Sequence, residues 1–404
     1  MKFINLNSIK KPNMELIAKL SLSIIIITFL TGPAIPDIFA TILSIIFLYE
    51  LINKRLINEN IFFLLSIFIL LLIPNFKSIY FPMPFYEFLV NIRYFLFSLF
   101  ISIFFGKNLN YFIKLLLLFC LFLSFDLIFQ YIFSFNIFGI PIDPSHNSSR
   151  ASSFFRDELV AGSYIYKLGL PVIGYYLFFR RFQISLTLII IFELAILCSG
   201  ERMTFILFNS GILILISILI KDFQKILILF FSIILIFSTM YLISDRVKQR
   251  TDSFISIFNK EKIMNDGHFA HAWTATEIFK KNIFFGTGHK TFRLSCKNQD
   301  IKEKVKSLSE GCSTHPHNTY FEILSDFGLF GFISFLGFVI ISLVKFVKNN
   351  LHNSELSGFF VTFLCIFWPI SSHGNFFNNR VAVLNFMIIG ILFYFCSNKN
   401  LFKK

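Results

Sequence analysis

The chain has 404 residues, 55% of them hydrophobic and 19% aromatic, a formal net charge of +14 and a mean hydropathy of +0.72. Its apolar blocks run about 16 to 25 residues with few charges, the length that crosses a bilayer core, which excludes an ordinary soluble domain with alternating faces. The positive charge does not point to nucleic acid, because Lys and Arg sit singly or in pairs between the blocks, as topology signals do.

The first block, 14–31, follows Lys2, Lys10 and Lys11 and lacks a small-residue cleavage site, so it reads as a retained helix. Further spans are predicted at 36–52, 60–75, 86–105, 110–134, 158–179, 183–198, 202–220, 225–243, 318–346, 356–371 and 380–396. Connections assigned inside carry Lys54/Arg55, Lys107, Arg180/Arg181, Lys221 and Lys345/Lys348, and the tail adds Lys399, Lys403 and Lys404. Outside connections are poorer, with nothing basic in 32–35 or 199–201 and only Lys77 in the next. The expected architecture is an all-α integral membrane protein of about twelve helices, one polytopic domain over 1–404 with both termini cytoplasmic.

Two outside segments are long. The segment 135–157 is one; the other, 244–317, is too large for a turn and reads as a small extramembrane subdomain between spans nine and ten. Within it, 268–281 (HFAHAWTATEIFKK) has the pattern of a short amphipathic helix suited to the interface. Seven of the eight histidines fall outside: His146, His268, His271, His289, His315, His317 and His373, with His352 inside.

The densest polar site is Thr314-His315-Pro316-His317-Asn318, where the long loop enters the tenth span. A histidine at this boundary has an ordinary pKa near working pH and can take a proton from a sugar hydroxyl; the plainer alternative is a residue that only caps the helix. Pro316 stiffens the approach, and Gly328 and Gly331 would let a neighbouring helix pack closely. Glu322 and Asp326 share the face of Asn318, and Glu322 is a candidate to orient His317 or the acceptor. Cys296 and Cys312 lie in the outside loop, where pairing would close a loop of about 17 residues and contribute about 3 kcal/mol. Cys120, Cys198, Cys365 and Cys396 read as packing residues. Arg93, Asp126, Lys167 and Glu193 lie deep in spans, where charges need partners. Cys312, His315 and His317 are zinc ligands by type, yet their spacing matches no standard site, so no metal or other cofactor is expected. The sequence has no Asp-x-Asp and no Walker loop, so metal-bound nucleotide sugars and ATP have no obvious seat.

HN-x9-G-x2-G after a long outside loop resembles the signature of the O-antigen ligase and polymerase superfamily. Four other segments between 150 and 380 resemble that family in order. They are Arg150 with Phe154-Phe155-Arg156-Asp157-Glu158 and Gly162-Ser163-Tyr164; Ser199-Gly200-Glu201-Arg202; Gly286-Thr287-Gly288 with Phe292-Arg293; and Trp368-Pro369 with Gly374-Asn375-Phe376-Phe377. The resemblance implies a glycosyltransferase that moves a glycan from undecaprenyl diphosphate to an acceptor hydroxyl on the periplasmic face of a bacterial inner membrane. The acceptor is lipid A core for a ligase, or the growing glycan for a polymerase; membrane lipids and polysaccharide-assembly proteins are the other implied partners. Under it His317, with Asn318 and Glu322, is the catalytic centre. Arg202, Arg150 and Arg156 would hold the diphosphate, since guanidinium groups stay charged and fork onto phosphate oxygens. The family often has an arginine shortly before Trp273. Here His268 and His271 stand there instead, leaving His268, Arg246, Arg293 or His315 for the second contact. From a different class, a twelve-helix transporter or flippase would show two related halves and a midplane site, and this chain shows neither.

Overall fold

The computed structural model describes residues 11–54, 58–143, 150–256, 266–305, 311–370 and 374–397. His146, His373 and the basic positions Lys2, Lys10, Arg55, Lys399, Lys403 and Lys404 lie outside the described residues. The described residues are helical or in turns and loops, with one isolated bridge between Phe135 and Pro141. Ten helices among them are long and apolar enough to cross a membrane, from Asn13–Thr31 to Asn379–Ser397, two fewer than the sequence suggests. The other two expected spans do form helices. Ala161–Phe178 carries too many Tyr, Gly and Lys residues to count as apolar, and Ser357–Ile366 is too short. Both are lined by protein instead of lipid, so neither needs a continuous apolar surface. They cross at Gly174 and Gly358, where a Cβ on Gly174 would lie 2.5 Å from the Gly358 Cα.

The helices Ile92–Phe104 and Asn379–Ser397 form the centre of the bundle and pack on each other along their length. Phe223–Ile243 is its opposite, a peripheral helix with Leu229 its one buried residue. The deep charges are mostly matched. Arg93 forks onto Asp37 at 3.0 and 3.2 Å, and Asn379 donates to the same carboxylate at 3.1 Å. Asp126 accepts from the Ile137 amide at 2.9 Å and bonds the Ser153 hydroxyl, while Gln130 accepts from the Ser152 and Ser153 amides at 2.9 and 2.6 Å. These two side chains tie the 135–157 segment onto the helix Leu109–Phe133. Lys167 donates to Asn385 at 3.3 Å. Expected ion pairing thus holds for Arg93, whereas Asp126 and Lys167 are satisfied by neutral partners and both Glu193 carboxyl oxygens are buried without a hydrogen-bond partner among the described residues.

The helix Thr319–Lys348 is not continuous. Gly328 has φ 65° and ψ −165°, which breaks it into two stacked pieces. The segment 283–288 lies across the break. The Leu329 and Phe330 amides donate to Ile283 and Phe284 carbonyls at 2.7 and 3.1 Å, while the Thr287 and Gly288 amides donate to Ser325 and Asp326 carbonyls at 2.9 and 2.7 Å. Backbone groups freed by the break are thereby satisfied by loop backbone, which is what a protein-lined interruption requires at membrane depth. This corrects the expected role of the glycine pair. Gly328 does not admit a neighbouring helix; it lets the loop backbone approach, with its missing Cβ 2.5 Å from the Gly286 nitrogen. Gly331 leaves room for Phe327, one turn earlier on its own helix.

Candidate functional site

Between Phe223–Ile243 and Thr319–Lys348, the described residues of this subdomain-sized segment form the helices Asp245–Ser256, Gly267–Lys281, Phe292–Ser295 and Gln299–Lys304. The Gly267–Lys281 helix packs on Thr319–Lys348 and buries Ala270, His271, Thr274, Ala275 and Ile278, so it is a packed element and does not lie free on the interface as its amphipathic pattern suggests. Asp266 caps it by accepting from the His268 and Phe269 amides at 3.0 and 3.2 Å. The disulfide Cys296–Cys312, Cα atoms 5.3 Å apart, closes the loop three residues before His315. With its sulfur bonded, Cys312 has no thiolate to offer a metal.

Four imidazoles converge where this subdomain meets the bundle. The His317 ring centre lies 4.2 Å from that of His315, 5.2 Å from His271 and 5.6 Å from His268. His317 takes a left-handed φ of 58°. Asn318 follows as N-cap, accepting from the Tyr320 and Phe321 amides at 2.9 and 3.2 Å while its amide donates to the Pro369 carbonyl at 2.8 Å. Asn318 thus ties the His315–His317 loop to the Trp368-Pro369 segment. Burial, and then the three neighbouring imidazoles, hold the His317 ring down to about 3, far below the ordinary histidine value expected from sequence. His317 is therefore neutral near pH 7, with desolvation first and the neighbouring imidazoles second opposing its protonation.

Glu322 is not at this ring. It is buried and accepts from the Phe376 amide at 3.2 Å, which anchors the 374–377 turn to the upper piece of the broken helix. Asp326 likewise accepts from the Lys290 amide at 2.8 Å. His289, fully buried among Phe88, Phe327 and Phe377, contacts the Asn91 amide group at 3.1 Å, and burial keeps it well below its ordinary value and neutral. It is a packing histidine.

A second cluster is made of guanidinium groups. Arg202, Arg246 and Arg250 line a cavity of about 310 Å³ whose walls are mostly apolar, with Phe205, Phe237 and Phe254 prominent. Arg150 packs on Gly200 at its edge and donates to the Ser199 carbonyl at 3.2 Å. Arg250 donates to the Gly200 carbonyl at 3.3 Å and Arg246 to the Tyr131 carbonyl at 3.2 Å. Burial, and then the charges of Arg150 and Arg202, lower Arg250 to about 10. Arg202 Nη1 and Arg250 Nε are buried without a hydrogen-bond partner among the described residues. The one carboxylate in the cavity lining is Glu201, which is already engaged, accepting from the Gly162 amide at 2.7 Å and the Thr204 hydroxyl at 2.9 Å. Those bonds bring the Gly162-Ser163-Tyr164 and Ser199-Gly200-Glu201-Arg202 segments together.

The two clusters share the N-terminus of the Gly267–Lys281 helix. Its cap Asp266 is the carboxylate within electrostatic reach of Arg202, and His268 is two residues further on. Two sequence candidates stand apart from both clusters. Arg156 is exposed in a left-handed turn, and Arg293 is exposed with Glu87 at 3.8 Å. Glu158, beside Arg156, instead pairs with Arg380. Arg250 is absent from the sequence candidates. Its signal was its spacing of four from Arg246, which puts both on one helical face.

A family model described as O-antigen ligase matches residues 186–336, from within the helix before Arg202 to within the broken helix after His317, and includes both clusters except Arg150. No curated protein matches the chain.

Proposed function

We propose, from the premise that the chain belongs to the O-antigen ligase and polymerase superfamily, that it is a ligase. In this reading it transfers a glycan from undecaprenyl diphosphate to a hydroxyl of lipid A core at the periplasmic end of an inner-membrane bundle with both termini cytoplasmic. The observation that carries the reading is the convergence of Arg150, Arg202, Arg246 and Arg250 on a cavity with aromatic walls. Gathering like charges in a partly buried place is unfavourable unless an anion completes it, and buried guanidinium donors left open suit phosphate oxygens. The apolar walls suit the isoprene next to the diphosphate. The neutral His317 accepts the acceptor's hydroxyl proton as that oxygen bonds to the anomeric carbon. The bond from that carbon to the diphosphate oxygen breaks, and its electron pair stays on the departing diphosphate, where the guanidinium groups balance it. No metal is needed for this balance. Negative charge brought by the donor favours the protonated imidazole and so strengthens a base that is weak in the free protein.

The test is binding of purified protein to undecaprenyl-diphosphate-linked glycan. Arg250→Ala and Arg202→Lys should each weaken donor binding and turnover, the second because lysine keeps the charge but loses the fork. Unchanged donor affinity in both variants would remove the diphosphate assignment.

A further inference from the structure

The other end of the same helices carries a second cavity, of about 480 Å³. Arg202 opens the helix Arg202–Leu219, and this cavity closes it, so the two lie about 27 Å apart along the axis, close to the thickness of a bilayer core. Its charged lining is Arg180, Lys221, Lys225 and Asp222. Lys225 and Asp222 neutralise each other at 3.1 Å, and Asp222 also caps the helix Phe223–Ile243. Arg180 and Lys221 make no ion pair among the described residues, so the cavity keeps two uncompensated cations. They are presented by turns. Arg180 has φ 57° in the turn between Ala161–Phe178 and Phe182–Ser199, and Lys221 sits in the turn before Phe223–Ile243. Leu177, Phe178, Phe182 and Ile218 are among the apolar residues of the lining; Phe178 is exposed, as is Phe223, the residue after Asp222.

From this arrangement we infer that the cavity binds the phosphate headgroup of an anionic phospholipid. Arg180 and Lys221 contact the phosphate, and the aromatic rim contacts the first acyl carbons. A phosphate ester is the shared chemistry of a lipid headgroup and a free phosphate metabolite. The apolar lining residues and the exposed Phe178 and Phe223 favour the lipid, because a free metabolite would gain nothing from them. Basic pockets between helices at this interface are of the kind that holds lipid headgroups, and each cation near the surface contributes about fivefold in affinity. The site is separate from the arginine cavity and does not depend on the transfer reaction.

The experiment uses the full chain in detergent, with phosphatidylglycerol, phosphatidylcholine and inorganic phosphate as probes, read by native mass spectrometry and by thermal stability. Phosphatidylglycerol should be retained and should raise Tm, phosphatidylcholine should do neither, and R180Q/K221Q should weaken retention roughly thirtyfold. A control pair outside the cavity, K114Q/K348Q, should retain the lipid as the wild type does. Equal retention of both lipids, equal loss in the control pair, or equal protection by inorganic phosphate each overturns the inference. If R180Q/K221Q does not fold, Lys221→Gln alone should show about a fivefold loss, and an unchanged value there overturns it as well.

Discussion

His317 sits among three other imidazoles, so its behaviour is that of a cluster member. Loss of a general base typically costs about 100- to 10,000-fold in rate, so His317→Ala should lose transfer by that factor while expression and membrane insertion persist. His315→Ala is the matched control and should retain more. Near-normal turnover in His317→Ala with a dead His315→Ala would move the base to His315, and two active variants would end base catalysis by histidine. The pH dependence follows from the same environment. A base works when unprotonated, and the free His317 is held down to about 3, so kcat/KM should stay flat as pH falls from about 7 to about 5.5. The acid limb of kcat should lie at higher pH, because donor charge raises the same group in the complex. An acid limb of kcat/KM near the ordinary histidine value would contradict the burial argument. The residue identities at this site were legible in the sequence, since His315, His317 and Asn318 stand together. The depressed basicity was not, because His268 and His271 arrive from a helix some fifty residues earlier.

The element that organises this end of the bundle is the break at Gly328. Its left-handed φ disfavours any side chain, and a Cβ there would meet the Gly286 nitrogen and the Phe284 carbonyl carbon at 2.5 Å. Gly328→Ala should therefore destabilise by at least about 1–3 kcal/mol from backbone conformation alone, with the backbone collision added. Thermal melts of the purified variant should show the loss, and an unshifted Tm would mean that the broken helix can straighten. Gly331→Ala carries no left-handed φ penalty but should also destabilise, since its Cβ would collide with the Phe327 Cβ, which the backbone holds in place. From sequence these glycines read as a packing surface, because spacing on one helix cannot reveal that loop residues 283–288 cross it. The same limit applies to the helix Ala161–Phe178. Its length announces a span, but its polar face makes sense only against Ser357–Ile366 and Asn385.

For the whole molecule, the proposed orientation puts Ser256 outside and Asn350 inside. Cysteine labelling of intact cells by a membrane-impermeant reagent should then reach Ser256→Cys and not Asn350→Cys. The background is favourable, because Cys120, Cys198, Cys365 and Cys396 are buried and Cys296 and Cys312 are bonded to each other. The reverse labelling pattern would invert the bundle and place the arginine cavity on the other face. Sequence alone determined the membrane class, the positions of the apolar helices, the long segment between Phe223–Ile243 and Thr319–Lys348 and the order of the family-like motifs, because each is written in local composition or short spacing. Only the tertiary structure decided that Arg250 joins Arg150, Arg202 and Arg246 while Arg156 and Arg293 stay apart, that Glu322 anchors a turn away from the His317 ring, and that Gly328 breaks its helix. These outcomes depend on which segments meet across long chain separations, and on the burial and electric field that such meetings create, neither of which a local pattern contains.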